Sequence, residues 1–320
     1  MRIYLVGAFL AASLQLGCNR AAAPAAAPGG HRIVVMAPAA AEMLGALGAA
    51  GQVVGVGDWV LWPPYTKNLP RVGAYDSPSV EAVLSLHADT LVTAASKAAG
   101  SSNTRLESLG VRILEVKTNS YEGTLSALRQ LGVLAGREET ARELEAAMRS
   151  KIDALRARAE GAPKKRALVV VGRDPLYVAG PGSHFDEMLR AVGGENVMAD
   201  AAANYQMVSL ETVLERLPEV IVDSSNNHPD APRGRQGGPW GQWPFLPAVK
   251  ENRVYCVDPA RTSVPGIRIP EITEFFGKMI HPEIFGEASP EEFGPLAGGP
   301  DGTPPQPSRQ SEEAAGGPSP

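Results

Sequence analysis

The sequence predicts an α/β protein made of two similar lobes, each with a parallel central sheet, on either side of one long helix. Three observations predict it. Short β-type runs alternate with segments of i, i+3, i+4 apolar spacing, the pattern of βαβ units. One amphipathic helix near the middle is far longer than the rest. A stretch before that helix is echoed by a stretch after it.

Along the chain, the strand candidates are Arg32–Met36, Gln52–Val56, Thr90–Ala94, Arg112–Val116, Arg166–Gly172, Glu219–Asp223 and Arg253–Val257. The long helix runs from Arg137 to Glu160. Ala141, Leu144, Met148, Ile152, Leu155 and Ala159 form one stripe, with Glu138 and Glu139 in the first turn and Arg156 and Arg158 in the last, as the helix dipole favours. At ~1.5 Å per residue such a helix spans roughly 35 Å and would serve as a strut between two halves, or as a surface helix of one. The echo has two parts in the same order. Glu42-Met-Leu-Gly-Ala-Leu-Gly48 recurs as Glu187-Met-Leu-Arg-Ala-Val-Gly193, and Ser79-Val-Glu-Ala-Val-Leu84 recurs as Ser209-Leu-Glu-Thr-Val-Leu214. Without a gap, Ala88-Asp-Thr-Leu-Val92 then corresponds to Pro218-Glu-Val-Ile-Val222.

The two ends differ from this pattern. Residues 1–17 read as an export signal, with Arg2, an apolar run from Ile3 to Leu16 and small Gly17 before Cys18. Leu14-Gln-Leu-Gly-Cys18 resembles a bacterial lipobox, which makes Cys18 the expected lipidation site and the protein a lipoprotein on the periplasmic face of the cell envelope; the plainer alternative is an ordinary cleaved signal with an incidental Cys18 and release into the periplasm. Residues 18–30 form an Ala/Pro/Gly tether, and residues 288–320 are expected to be a disordered tail because they hold almost no bulky apolar side chains. The folded part divides into a first lobe at 31–136, the linking helix at 137–161 and a second lobe at 162–287. A net charge of −5 with interspersed signs argues against a nucleic-acid partner. With Cys18 lipidated, Cys256 has no intramolecular disulfide partner and reads as a buried thiol.

No G-x-S-x-G, Walker loop or HExxH occurs, and the five histidines show no metal-ligand spacing, so neither an enzyme nor a metal site is expected. The aromatic residues are few and placed on loops. Trp59, Trp62 and Tyr65 lie in Gly57-Asp-Trp-Val-Leu-Trp-Pro-Pro-Tyr65. Tyr75, Tyr177 and Tyr205 lie in other connections, and Trp240 and Trp243 in Gly237-Gly-Pro-Trp-Gly-Gln-Trp-Pro244. Rings in both halves either line a cleft for a large, mostly apolar ligand or seal the tops of the sheets. His184, in Gly180-Pro-Gly-Ser-His-Phe-Asp186, belongs to an anion cradle or, more simply, to a turn capped by Ser183 with Asp186. Glu81 and Glu211 each stand in a first helical turn behind a serine. Locally that is capping and dipole chemistry, but matched carboxylates on two lobes would also suit basic pockets on a two-fold symmetric partner.

These residues carry a family resemblance. Val35-Met-Ala-Pro-Ala-Ala-Ala-Glu-Met-Leu-Gly-Ala-Leu-Gly48 resembles the first strand and helix of the class III periplasmic binding proteins. Val54-Gly-Val56, Pro63-Pro64, Leu69-Pro-Arg-Val-Gly73, Ser79-Val-Glu81, Ala88-Asp89, Gly193-Gly-Glu-Asn-Val197 and Val208-Ser-Leu-Glu211 follow in that family's order, over about residues 32–280. The likeness is greatest to its cobalamin-binding members. It implies two Rossmann-like lobes joined by one long helix and a corrinoid held between them, delivered by a monomer to an ABC permease dimer with its ATPase subunits. The cleft aromatics then fall on Trp62, Tyr75, Tyr177 and Tyr205, with Trp59 nearby and Arg261 as a polar contact. Residues 226–243, with Trp240 and Trp243, look like an insertion beside the cleft. The carboxylates that engage permease arginines fall on Glu81 and Glu211. No resident cofactor is implied. Relatives that carry ferric siderophores or haem keep those ligands open, with Tyr177, His184 or Tyr205 as haem ligands. So does an envelope sensor or scaffold without transport.

Overall fold

Parallel strands need crossovers, and here each crossover contains a helix that covers one face of a sheet. The computed structural model describes residues 30–94, 100–225, 234–235 and 238–294. The export signal, Cys18, the tether before Gly30 and residues 295–320 lie outside the described residues.

The first half contains β1 (Ile33–Val35), α1 (Pro38–Ala46), β2 (Val53–Val56), the short pair β3 (Gly73–Ala74) and β4 (Ser77–Pro78), α2 (Val80–Ser85), β5 (Thr90–Ala94), α3 (Gly100–Ser108), β6 (Arg112–Val116) and α4 (Tyr121–Ala135). Its sheet has the order β2-β1-β5-β6 and is parallel throughout. The near-continuous apolar strands Ile33–Val35 and Val53–Val56 are buried on both faces, as a covered parallel sheet requires.

α5 (Glu138–Arg158) follows. Its 21 residues cover ~31 Å at the standard rise. Ala141, Met148, Ile152 and Leu155 are buried, and Leu144 and Ala159 pack against them. They join one continuous core with Ile33 and Val35 of the first sheet and Val169 and Val222 of the second. The apolar stripe read from the sequence is therefore what fastens the helix to both halves.

The second half contains β7 (Lys165–Arg173), β8 (Leu176–Ala179), α6 (His184–Ala191), β9 (Gly194–Asn196), β10 (Tyr205–Met207), α7 (Leu210–Arg216), β11 (Val220–Asp223), β12 (Gly234–Arg235), α8 (Pro247–Lys250), β13 (Val254–Cys256), α9 (Pro259–Thr262), α10 (Ile269–Ile280), α11 (Pro282–Phe285) and α12 (Pro290–Phe293). Strands β9, β7, β11 and β13 form its parallel centre. Antiparallel β8 and β10 extend one side and β12 the other. This sheet is thus mixed, with a parallel core.

The echo is an echo of structure. Gly48 and Gly193 end α1 and the turn after α6 with φ of +70° and +82°, a region open to glycine because it lacks a Cβ. Ser79 caps α2 through the N–H of Ala82 (3.3 Å), and Ser209 caps α7 through the N–H of Thr212 (3.2 Å). His87 and Leu217, eight residues past those serines, both take positive φ, 49° and 46°. Asp89 accepts from the backbone N–H of Arg32 (2.7 Å), and Glu219 from that of Arg166 (2.9 Å). The same two arginines donate through their side chains to the carbonyls of Leu86 (2.8 Å) and Arg216 (2.5 Å). Each lobe therefore opens its first strand with one brace, repeated in register.

The expected tail needs a correction at its start. Ser289 and Glu292 form a capping box, and Phe293 is buried, stacked on Tyr255 (5.9 Å) and edge-on to Phe275 (5.3 Å). Composition marked 288–294 as unable to pack, but one phenylalanine and one cap, with bonds from Arg261 and Lys278, dock a four-residue helix.

Candidate ligand-binding site

Open parallel sheets bind ligands beyond the carboxyl ends of their strands, at the point where strand order reverses. That point is the end of β1 in the first sheet and of β7 in the second, since each has later strands on both sides. A set of ties joins the two halves. Glu42 of α1 is buried and accepts from Arg268, ahead of α10, with an Oε1–Nη2 distance of 2.7 Å. Burial pushes the Glu42 carboxyl up, and its hydrogen bond to Arg268 opposes this. Arg268 also donates to the carbonyls of Ala260 and Arg261. In the other direction, Glu187 of α6 accepts from the backbone N–H of Tyr121, which opens α4 (2.6 Å). Thr124 adds a bond to Pro265 O (3.2 Å). Glu42 and Glu187 open the two copies of the first echo, so one sequence position serves as the inter-lobe tie in both lobes. The echo marked these residues, but nothing in it disclosed their partners.

The loop after β2 carries Trp59 and Trp62. Arg71 donates to the carbonyls of Gly57 (2.9 Å) and Val60 (2.7 Å), and Thr66 to that of Pro63 (2.8 Å). Tyr65 donates to Ala41 O (2.8 Å) and is an anchor of the loop. On this braced loop Trp59 is 48% exposed and Trp62 half-buried. Tyr75, half-buried, occupies the turn between β3 and β4 four residues before Ser79, the place that Tyr205 holds before Ser209.

In the second lobe Tyr177 of β8 lies directly opposite Met207 of β10, and Tyr205 is two residues from Met207 on the same strand. Strand alternation puts all three on one face, and all three are exposed, both tyrosines at 39%. Tyr205 is tethered below that face. Its hydroxyl lies 2.8 Å from His184 Nδ1, while His184 Nε2 lies 3.3 Å from the carbonyl of Thr262. A carbonyl only accepts, so Nε2 carries the proton and Tyr205 donates to Nδ1. Burial pushes the imidazole down to about 4, which keeps it neutral. Both ring nitrogens are thereby committed, and His184 as it stands offers no free nitrogen to a haem iron. Ser183 caps α6 through the N–H of Asp186 (3.2 Å), so the simpler of the two readings of this turn holds.

Two expected contacts, Trp240 and Arg261, are placed differently. Trp240 is 1% exposed and sits in the core of the second lobe, with its indole N–H on Asp223 (2.8 Å) and its ring tilted against half-buried Trp243 (5.6 Å). It supports the sheet end rather than offering a ring face, because a buried indole needs a hydrogen-bond partner and Asp223 provides one. Arg261 donates to the carbonyls of Glu291 (2.9 Å) and Gly294 (2.8 Å), so it fastens α12. Cys256 is half-buried, and burial pushes its thiol up.

Sequence reading missed Arg173, the last residue of β7. Its guanidinium pairs with buried Asp223 and lies over the ring of Trp240, 5.5 Å from the centroid. Burial pushes it below its ordinary range. The signal was the charged residue between Gly172 and Asp174 at the end of the longest apolar strand. Glu81 and Glu211 project from the first turns of α2 and α7. Hydrogen bonds from its own amide and from Ser209 hold the Glu211 carboxyl below its usual value. Among the described residues no group of three or more His, Cys, Asp or Glu is arranged to hold a metal ion, and no helix is long and apolar enough to cross a membrane.

A family model described as periplasmic binding protein matches residues 33–260. The vitamin B12-binding protein of Salmonella paratyphi A is 32% identical over 191 residues, 60% of this chain and 71% of its own. An uncharacterized ABC transporter substrate-binding lipoprotein of Bacillus subtilis is 29% identical over 263 residues, 80% of this chain and 82% of its own. Among solved structures, the periplasmic vitamin B12-binding protein of Vibrio cholerae superposes with a TM-score of 0.68 at 23% identity, covering 81% of this chain and 98% of that one. The periplasmic haem-binding protein of the same organism does so with a TM-score of 0.67 at 22% identity, covering 79% and 99%.

Proposed function

We infer the ligand and its delivery from one premise: this chain belongs to the periplasmic binding protein family. It is a substrate-binding component of an ABC-type transporter, acting outside the cytoplasm with a permease and an ATPase, and not an enzyme. Our reading is that it captures a corrinoid between its lobes. The observation that carries this is the set of ring faces left exposed on braced elements at the carboxyl ends of both sheets: Trp59 and half-buried Trp62 and Tyr75 on one side, Tyr177 and Tyr205 on the other. A large, partly apolar macrocycle gains from such plates, and exposing them without a ligand costs hydrophobic energy. The relatives that bind vitamin B12 support the choice. We assign delivery to Glu81 and Glu211, which the echo places equivalently on the two lobes for contact with permease arginines. We assign membrane attachment to a lipid on Cys18. The division at 31–136, 137–161 and 162–287 and a monomeric state belong to the same reading.

Titration of the purified protein with cyanocobalamin is expected to quench tryptophan fluorescence at micromolar ligand. No response to it, with a clear response to haem or a ferric siderophore, overturns the corrinoid in favour of those ligands, for which the similarity to haem-binding structures speaks. Reversing both charges at Glu81 and Glu211 is expected to leave that affinity unchanged while abolishing stimulation of the permease. Loss of ligand binding instead would remove the docking role.

A further inference from the structure

The first lobe ends its switch strand β1 on the apolar run Val35-Met36-Ala37, whereas the second ends its switch strand β7 on a cation. Arg173 is held there by a fully occupied carboxylate. Asp223 Oδ1 accepts from the N–H (3.1 Å) and hydroxyl (2.5 Å) of Ser225, and Oδ2 accepts from Trp240 Nε1 (2.8 Å) and from Arg173 Nη2. A carboxylate has about four acceptor positions, so Asp223 has none left for an incoming donor. Arg173 is in the opposite condition. Its fork has five N–H donors, and among the described residues Asp223 is its one hydrogen-bond partner. The side chain is 28% exposed while Asp223 is 4% exposed, so the remaining donors lie toward the open side of the pair. Asp223 fixes one end of the guanidinium and the Trp240 ring lies beneath it, which leaves little rotamer freedom to lose on binding. Tyr177, one of the exposed ring plates, is paired across the hairpin with Gly172, next to Arg173. Their side chains leave opposite faces of the sheet, so a planar cation and an aromatic face flank the end of β7, at the point where this fold places its ligands.

We propose that Arg173, positioned by Asp223 and Trp240, is a binding residue that anchors an anionic oxygen group, a phosphodiester or a carboxylate, on the rim of the macrocycle. The inference rests on the reading that the ligand is a macrocycle of this kind. It adds that the ligand is recognised in the second lobe by its negative charge as well as by its flat apolar surface. The bonded atoms would be the free guanidinium N–H groups of Arg173 and the non-bridging oxygens of the ligand. A corrinoid supplies the group as the phosphodiester of its nucleotide loop, and haem supplies it as carboxylates.

The test compares each ligand with its counterpart lacking the anion. Affinities of the full chain for cyanocobalamin and for cobinamide, which has no phosphodiester, are measured in the natural protein, in Arg173→Gln and in Arg173→Lys. Haem and haem dimethyl ester form the second pair. Arg173→Gln is expected to weaken the anionic member of the bound pair about 10- to 100-fold, the scale of a lost charge-assisted hydrogen bond, and to leave the other member within about 2-fold. Arg173→Lys, which keeps the charge without the fork, is expected to recover part of the loss and to retain the native melting temperature. Equal weakening of both members by Arg173→Gln and Arg173→Lys would mean that the residue only supports the sheet end, and it would overturn the proposal. So would unchanged affinity for both. If the natural protein binds a corrinoid or haem but prefers neither anionic member, the anchor fails and the ligand reading stands. If it binds neither class, both fail.

Discussion

The two lobes share a frame and differ in what stands on it. Both have an arginine brace at the first strand, a serine cap with an acid two residues on, a left-handed residue before the next strand, and a glutamate reaching the opposite lobe. Their ligand-side ends are unlike. The first lobe keeps a purely parallel sheet and presents its aromatics on loops, whereas the second adds antiparallel β8 and β10 and presents Tyr177, Tyr205 and Met207 on strand faces. A loop set by a few hydrogen bonds can be changed without disturbing a sheet, while a strand face is rigid at the cost of fixed spacing. The repeat thus supplies the symmetrical parts, namely the capped first-turn carboxylates and the lobe ties, and the asymmetrical parts carry the exposed rings that we propose recognise the ligand.

The inter-lobe ties test the first half of that statement most severely. Glu42→Ala leaves Arg268, mostly buried, without its carboxylate, and is expected to cost about 3 kcal/mol or more in urea unfolding. Glu187→Ala leaves one backbone N–H and is expected to cost ~1–2 kcal/mol. Equal costs would mean that the two ties are energetically as well as positionally equivalent. The next effect belongs to the second lobe alone. His184 is pushed down to about 4 when folded, against an ordinary value near 6.5. Its contribution is therefore complete above ~6.5 and is lost as pH falls from there to about 4, by up to ~3 kcal/mol. Unfolding of the natural protein and of His184→Gln, compared at pH 7 and pH 4.5, should show a smaller acid loss in the variant. An identical loss would exclude this residue as the source. The smallest effect addresses symmetry directly. Ser79→Ala and Ser209→Ala each remove one cap bond and should each cost ~1 kcal/mol, with additive loss in the double variant because the two caps share no partner. A twofold difference between them would show that the frame is not energetically repeated.

Much of the fold was legible because it is written locally. Strands Thr90–Ala94 and Arg112–Val116 have the bounds that their apolar runs suggest, and the buried face of α5 is the stripe Ala141, Met148, Ile152 and Leu155. Period and composition carry that information within a few turns of chain. The candidate site was only partly legible. Loop aromatics pointed to Trp59, Tyr177 and Tyr205, but the same criterion also selected Trp240, which Asp223 draws into the core. Phe293 was passed over because its neighbours are Pro, Gly and Glu, although one ring was enough to close over Tyr255.

By itself, then, the sequence determined the alternation of elements, the long connecting helix and the existence of two related halves, since each is a property of spacing along the chain. Only the tertiary structure decided that Glu42 meets Arg268 across 226 positions, that Glu187 meets the start of α4, and that Arg173 stands on Asp223 and Trp240 at the end of β7. The reason is that a buried charge or indole is stable only where its partner arrives from elsewhere in the fold, and no local pattern records which distant residue that will be.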